Sequence, residues 1–325
     1  MTDYLSHFSV MLPECLSALK MGAEDSGSSI FADLTFGAGG HTLAISDQIT
    51  GSTIYATDQD PDALSNGRET ISRKGKEKQI ELLAMNFESF PDWAIQQQLQ
   101  GKFAGILMDL GVSSHQFDKM ERGFSFRADA PLDMRMNYKD STLPTAADLL
   151  NTLTETEIAD LIYKYGEERL SRRIATRIIE FRKTKKLETT RELEDICFHA
   201  YPVKERHSRI HPATRTFQAL RIAVNKELQV LEITLPKLLP FLAPGGILAV
   251  ISFHSLEDRI VKHTFKEIVE KKDFPAIILT KKPITASEEE LVQNSRSRSA
   301  KLRLLQVSSQ PGGFDGVKKK KYSKV

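Results

Sequence analysis

Phe31-Ala-Asp-Leu-Thr-Phe-Gly-Ala-Gly-Gly-His41 is the stretch that decides the fold of this 325-residue chain. Its apolar start predicts a buried β-strand that ends at Asp33, the glycines that follow predict a tight turn, and a helical pattern begins at Thr42. This order is typical of the first unit of a doubly wound α/β sheet that binds an adenine-containing cofactor. Asp58 ends the next apolar run about twenty residues later, where an acid that binds a ribose is expected.

The first 110 residues alternate between short apolar runs and helical patterns. Strands are predicted over 30–33, 53–58, 80–85 and 105–109, and helices over 42–48, 61–74 and 90–99. Such alternation predicts a parallel sheet with helices on both faces, which binds its ligands at the carboxyl ends of the strands. Asp33, Asp58 and Asp109 each end one of these strands. We therefore expect three carboxylates along the edge of the sheet that binds the ligand.

Beyond residue 110 the pattern changes three times. A loop rich in Gly, Ser, Asp and aromatic residues comes first, and residues 145–201 are then helical, strongly charged and without a strand pattern. A long helix is predicted over 214–235. The strand and helix pattern then returns, with elements predicted over 247–253, 256–271 and 301–307. We predict one α/β domain, formed by residues 1–135 and 214–325, that is interrupted by an all-helical insert over residues 136–213.

The composition is that of an ordinary globular protein, with 40% hydrophobic and 27% charged residues. The two cysteines are too few for a disulfide framework or a cysteine-rich metal site, and we expect no metal. We expect a cytoplasmic protein without a membrane partner, because we find no secretory signal and no apolar run of membrane-spanning length. The net charge is +2, but residues 164–215 hold fourteen Lys/Arg against eight Asp/Glu, and more lysines follow at 318–324. This uneven distribution favours a polyanionic partner, although solvated helix faces and a flexible tail are the alternative.

The glycine turn discriminates between adenine-containing cofactors. A nicotinamide cofactor favours Gly-x-Gly-x-x-Gly, but here Gly37-Ala-Gly-Gly-His-Thr42 lacks the third spaced glycine. Asp33 also stands just before the turn, where its negative charge would repel a phosphate. S-adenosylmethionine has a ribose for Asp58, an ammonium group for the edge near Asp33, and no phosphate. The turn therefore favours this methyl donor, and a tight turn without a ligand is the alternative.

Three further segments carry candidate residues. Asp109 ends the fourth strand, where a carboxylate faces both the cofactor and the incoming nucleophile. Phe87 follows the third strand, where its ring would lie beside the adenine, and ordinary core packing is the alternative. The loop after residue 120 offers rings that can stack on a base and arginines that can bind phosphates: Phe124, Phe126, Arg127 and Arg135. A lid held by Asp–Arg pairs is compatible with the same residues.

Seven blocks of unusual sequence follow one another along the chain: Gly37-Ala-Gly-Gly-His41, Asp109-Leu-Gly-Val-Ser-Ser114, Glu121-Arg-Gly-Phe-Ser-Phe126, Pro131-Leu-Asp-Met-Arg-Met136, Pro212-Ala-Thr-Arg-Thr-Phe-Gln218, Ser252-Phe-His-Ser-Leu-Glu-Asp-Arg-Ile-Val261 and Ser295-Arg-Ser-Arg-Ser-Ala300. In order and spacing they resemble the bacterial ribosomal RNA small-subunit methyltransferase H family. The resemblance covers essentially the whole chain.

The resemblance implies a class I, Rossmann-like methyltransferase fold that uses S-adenosylmethionine and has a helical insert that helps to recognise the substrate. It implies methylation of the exocyclic N4 amine of one cytosine in the decoding region of the small-subunit (16S) rRNA. The implied cofactor contacts are Gly39, Gly40, His41, Asp58, Phe87, Asp109 and Gln116. Asp109, or the backbone after it, is also the candidate catalytic acceptor that polarises the amine.

Several alternatives stay open at this level. Without the resemblance, the residues fit equally a methyltransferase that acts on a protein or on a small-molecule amine. The glycine spacing is not the one that a nicotinamide oxidoreductase requires. A non-catalytic RNA-binding function would not account for three acids at strand ends. The substrate is either naked rRNA or, as we expect, rRNA within the assembled small subunit. A homodimer is also compatible with the sequence.

Overall fold

The structure is a computed structural model and describes residues 9–271 and 274–308. In these ranges seven strands form one sheet: β1 (Ile30–Asp33), β2 (Thr53–Asp58), β3 (Ile80–Ala84), β4 (Phe103–Asp109), β5 (Leu242–Ser252), β6 (Ala276–Ile278) and β7 (Lys301–Val307). The strand order is β3-β2-β1-β4-β5-β7-β6, and β7 runs antiparallel to both of its neighbours. The order reverses between β1 and β4, so the ligand site of such a sheet lies at their carboxyl ends.

Thirteen α-helices accompany the strands in the described ranges. They are α1 (Leu12–Ser26), α2 (Gly40–Gln48), α3 (Pro61–Arg73), α4 (Phe90–Gln96), α5 (Ser114–Asp118), α6 (Ala146–Thr152), α7 (Glu155–Gly166), α8 (Ser171–Arg182), α9 (Thr190–Ala200), α10 (Thr214–Asn225), α11 (Glu227–Lys237), α12 (Ser255–Lys271) and α13 (Glu288–Gln293). None of these helices is both long and apolar enough to cross a membrane. The C-terminal lysines at 318–324 lie outside the described residues.

The chain divides into two compact units. The first contains the sheet and consists of the described residues up to Gly111 and from Leu228 onward. Its core covers both faces of the sheet, since neighbouring residues of a strand point to opposite sides. Phe31 packs with α1, α2 and α3 residues on one face, and Ala32 packs with α4, α11 and α12 residues on the other. This three-layer α/β architecture agrees with the predicted fold class.

The second unit, Val112–Glu227, has a helical core of its own. The predicted insert, 136–213, lies inside this unit, which also includes residues on both sides of it. The unit is larger because the preceding loop contributes buried side chains to the core, among them Phe124, Leu132 and Met134. In the sequence these apolar residues are separated by Ser, Arg, Asp and Pro, a pattern that is typical of an exposed loop.

Local sequence sets the helix starts in the second unit more clearly than the helix ends. Thr154 begins α7 through a capping box with Glu157, as its sequence predicts. The long helix predicted over 214–235 is wrong, because the chain forms α10 and α11 with a break at Lys226. Lys226 adopts a left-handed conformation with φ 52° and ends α10. Neither Gly nor Pro marks this break in the sequence, so hydrophobic periodicity alone predicts one continuous helix.

Candidate active site

The turn after β1 is held by Asp33. One carboxylate oxygen, Oδ2, accepts the hydroxyl of Thr42 at 2.6 Å, and Oδ1 accepts the N–H of Thr35 at 3.2 Å. The residue is only 1% exposed. Asp33 therefore fixes the start of the turn to α2 and offers almost no accessible surface, so the expected contact with an ammonium group is not favoured by its geometry.

The glycines of the turn allow a close approach of backbone and aromatic ring. Gly39 has φ 80° and precedes α2 without a side chain that could cap the first N–H groups of this helix. A Cβ at Gly39 would lie 2.5 Å from Cζ of Phe36, and a Cβ at Gly67 of α3 would lie 2.5 Å from Cε1 of the same ring. Phe36 is 3% exposed and thus fills the space between the turn and α3. Its role was not evident from the sequence, where it is one apolar residue beside three glycines.

The next two residues pack against the N-terminal segment of the described chain. A Cβ at Gly40 would collide with the hydroxyl oxygen of Ser9, so a larger residue here requires the side chain of Ser9 to move. His41 is 5% exposed, and its Nε2 lies 3.1 Å from the carbonyl oxygen of Val10. Because a carbonyl only accepts, Nε2 must carry the proton. Burial lowers the pKa of His41, which leaves a neutral ring whose Nδ1 is an acceptor.

Asp58 ends β2 and receives two backbone donors. Its Oδ2 accepts the N–H of Gly37 at 2.8 Å, and its Oδ1 accepts the N–H of Asp60 at 2.8 Å. Burial raises the pKa of this carboxyl to about 6, and the two hydrogen bonds act against that shift. Each carboxylate oxygen retains a lone pair, so the group can accept two adjacent hydroxyls such as those of a ribose.

Asp109 ends β4 and lies beside the glycine turn. Its backbone N–H donates to the hydroxyl of Thr35 at 2.6 Å, and its Oδ2 lies 3.8 Å from Nδ1 of His41. Its Oδ1 is buried and has no hydrogen-bond partner among the described residues. Burial raises the pKa of Asp109 well above its ordinary value, and the nearby carboxylates Asp33, Glu257 and Glu290 raise it further. This orphaned oxygen is ready to accept a hydrogen bond from a ligand.

Two acids near Asp109 were not singled out from the sequence. Glu257 of α12 is 2% exposed, and its Oε2 accepts the N–H of Phe253 at 2.8 Å. Glu290 of α13 accepts the N–H of Met11 at 2.8 Å through Oε1. The block at 252–261 was the only sequence signal for Glu257, and nothing marked Glu290. Together with the strand-end acids they make this edge of the sheet strongly negative, which favours a cationic ligand and disfavours a phosphate.

Phe87 and Gln116 lie in different units. Phe87 begins a short 3₁₀ turn after β3 and is half-buried against the core of the first unit. Gln116 belongs to α5 of the second unit, where its Oε1 accepts the N–H of Ser113 at 2.9 Å in a capping box. Their cofactor contacts therefore stay predictions.

The residues expected to hold a base and phosphates are mostly engaged within the second unit. Phe124 is 6% exposed in the core, so it does not offer a stacking surface. Phe126 is already stacked on His211, with ring centroids 4.7 Å apart. Arg135 donates to both oxygens of Asp133, at 2.8 and 2.7 Å, as in the lid held by Asp–Arg pairs. The paired Arg135 is thus a structural residue, and the expectation that it binds phosphate is not supported.

The sheet order, the glycine turn and the strand-end acids define a class I methyltransferase, which uses S-adenosylmethionine as methyl donor. The donor set fits this cofactor, because Asp58 can accept ribose hydroxyls and Asp109 presents an unpartnered oxygen in a negative environment. A sequence model of the MraW methylase family matches residues 4–308, and the chain belongs to this family.

Relatives of the chain carry a common name. A protein of Heliobacterium modesticaldum named "Ribosomal RNA small subunit methyltransferase H" is 47% identical over 311 residues, which cover 91% of this chain and 97% of the relative. Proteins of the same name from Picosynechococcus and Sulfurihydrogenibium are 46% identical over 308 residues and 45% over 300 residues. These alignments cover 94% and 92% of this chain, and 98% of each relative.

Proposed function

We propose that the protein transfers a methyl group from S-adenosylmethionine to the exocyclic N4 amine of one cytosine in the small-subunit (16S) rRNA. The names of its relatives support rRNA as the substrate class. The observation that carries the chemistry is the carboxyl of Asp109, which ends β4 beside the glycine turn with a buried and unpartnered Oδ1. An amine needs such an acceptor before it can react.

The proposed cofactor contacts follow from the hydrogen-bonding capacity of each residue. Asp58 accepts the ribose hydroxyls, and the N-terminus of α2 offers the backbone N–H of Gly40 to the carboxylate of the methionine part. The N–H of Gly39 donates to the carbonyl of Phe36 at 2.7 Å, so the part of Gly39 is to let the backbone come close to the cofactor. Phe87 supplies an apolar ring for the adenine. His41 and Asp109 complete the set in the first unit, and Gln116 is carried over from the family resemblance.

The reaction requires a better nucleophile than a free cytosine amine, whose lone pair is delocalised into the ring. Bound S-adenosylmethionine supplies a methyl group on a positively charged sulfur. Asp109 accepts a hydrogen bond from the amine, which increases the electron density on nitrogen. Asp109 would accept the proton that the amine loses on methylation.

The surroundings of Asp109 suit this role as a proton acceptor. Burial and neighbouring acids raise its pKa, so the carboxylate is more basic than an exposed one, and a cationic cofactor beside it favours the ionised form. Nδ1 of His41 faces the same carboxyl from 3.8 Å and is kept as an acceptor by the contact of Nε2 with Val10. The neutral ring therefore presents an acceptor nitrogen, and no positive charge, to the carboxyl of Asp109.

Methyl transfer to rRNA from cells that lack the protein tests the proposal. Small subunits, naked small-subunit rRNA, total protein and the small-molecule extract from such cells are each incubated with the enzyme and labelled S-adenosylmethionine. We expect label in RNA, recovered as N4-methylcytidine after digestion to nucleosides. Label in neither RNA preparation would overturn the rRNA assignment, and label in the protein or small-molecule fraction would support the alternative methyltransferase.

The same experiment addresses the form of the substrate. We propose the assembled small subunit in the cytoplasm as the substrate, and faster labelling of subunits than of naked rRNA is the expected result.

A homodimer is the proposed oligomeric state, and light scattering on the purified protein tests it directly.

A further inference from the structure

The loop between α9 and α10, residues 201–213, exposes side chains of two kinds. Val203 and Ile210 are 74% and 53% exposed, which is high for aliphatic residues. Lys204 and Arg209 lie next to them in the chain and are exposed as well. The loop therefore presents two exposed aliphatic side chains, each beside an exposed positive charge.

The charge of this loop is not neutralised within the protein. Its acid, Glu205, forms an ion pair with Arg169 and so does not compensate the neighbouring basic groups. Lys204 and Arg209 have no ion pair with any residue in the part of the chain that the structure describes. Two exposed cations within six residues therefore remain available to an external anion.

Planar side chains are arranged beside these charges. The guanidinium group of Arg206 lies over the ring of Phe198, 5.3 Å from its centroid, and Nε of Arg206 donates to the carbonyl of Tyr201 at 3.1 Å. The rings of His207 and Phe198 meet edge to face at 5.6 Å. Aromatic, imidazole and guanidinium planes are the groups on which unpaired bases stack.

We propose that the 201–213 loop is a docking surface for a single-stranded segment of the rRNA. Lys204 and Arg209 bind phosphates, and the exposed His207 beside Phe198 offers a plane to an unpaired base. RNA is favoured over an acidic protein because the loop combines free positive charge with planar groups. The inference rests on the proposed function, and it adds a defined contact surface to it.

Binding of naked small-subunit rRNA to the Lys204→Ala/Arg209→Ala variant tests the docking surface. Two lost phosphate contacts reduce the slope of log K against log salt by about 1.4, since each contributes about 0.7 on single strands. At 0.1 M salt this corresponds to roughly 25-fold weaker binding. Lys204→Arg/Arg209→Lys should retain the affinity. Arg206 is left unchanged, because its hydrogen bond to Tyr201 holds the loop.

A matched control removes two lysines from the first unit. Lys266→Ala/Lys271→Ala takes two exposed charges from α12, where each lysine is paired with a glutamate four residues away in the helix. We expect its RNA affinity to stay within about twofold of wild type. S-adenosylmethionine binding and circular dichroism of both double variants should match wild type.

The outcomes separate the docking surface from the proposed function. An unchanged affinity and salt slope in Lys204→Ala/Arg209→Ala would overturn the docking surface even if the enzyme methylates rRNA. A loss seen with assembled subunits but not with naked rRNA would overturn it in favour of a ribosomal protein as the partner. The proposed function has its own readout, because absence of labelled N4-methylcytidine with the wild-type enzyme contradicts it whatever the affinities are.

Discussion

Gly39→Ala is the substitution whose effect follows most directly from the turn. Gly39 has φ 80°, and a Cβ at this position would lie 2.5 Å from Cζ and 2.9 Å from Cε2 of Phe36. Gly51 is a matched control, since it has φ 73° and a Cβ there would meet no atom within 4 Å. Alanine causes the same backbone strain at both positions, but only at Gly39 does its Cβ also clash with the ring of Phe36.

The two contributions have separate magnitudes. A left-handed alanine costs about 1–2 kcal/mol, which we expect for Gly51→Ala. Overpacking against a buried side chain adds about 1–3 kcal/mol, so Gly39→Ala should destabilise the first unit by roughly 2–5 kcal/mol. Phe36→Leu removes the ring atoms that cause the clash, and in this background the additional cost of Gly39→Ala should fall by at least about 1 kcal/mol.

Urea unfolding followed by the fluorescence of Trp93 measures these values. Trp93 is the single tryptophan of the chain and packs against Tyr55 at 5.2 Å, so it reports on the first unit alone. Calorimetric titration with S-adenosylmethionine provides a second readout, and we expect at least tenfold weaker binding for Gly39→Ala but not for Gly51→Ala. Equal destabilisation by the two alanines, or no coupling to Phe36→Leu, would refute the steric argument.

Three further predictions concern other positions. Asp109→Asn should lower the turnover number about 10²- to 10⁴-fold, as expected for loss of a proton acceptor. S-adenosylmethionine binding, measured by calorimetry, should change less than tenfold. Full turnover in this variant would contradict the role of Asp109. Asp58, with a pKa of about 6, is ionised above and protonated below that pH, so its contribution to cofactor affinity should be lost below pH 6, with a fall of up to tenfold per pH unit. Asp58→Asn should bind weakly at every pH, and an equally steep acid limb in this variant would assign the titration to another group. Lys226→Gly should stabilise α10 by about 1 kcal/mol, because glycine adopts φ 52° without strain; unchanged or faster amide hydrogen exchange in α10 would exclude this.

Most of the sheet was predictable because local patterns specify it. β1, β2 and β7 begin and end where the apolar runs do, and the strand-end acids lie at the carboxyl edge as expected. β6 was missed, since three residues are too few for a periodic pattern. β5 begins at Leu242, ahead of the predicted start, because Pro244 and Gly245 are accommodated inside the strand instead of ending a loop. These differences arise from pairing with neighbouring strands, which a local pattern does not contain.

The roles of individual side chains were less predictable than their positions. The sequence placed Asp33 at a strand end, but the short distances to Thr35 and Thr42 show that it holds the turn. Phe124 was a reasonable stacking candidate by type, yet it is buried in the core of the second unit. A residue type lists the interactions that a side chain can make, and its neighbours in the fold select among them.

By itself the sequence determined the α/β class, the glycine turn and the carboxyl edge where Asp33, Asp58 and Asp109 meet, because strand periodicity and turn chemistry act over a few residues. Only the tertiary structure decided which of these acids holds the turn and which keeps an unpartnered oxygen. The physical reason is burial and hydrogen bonding. These depend on residues far apart in the chain, such as Glu290 beside Met11, and they set both the accessibility and the proton affinity of a carboxylate.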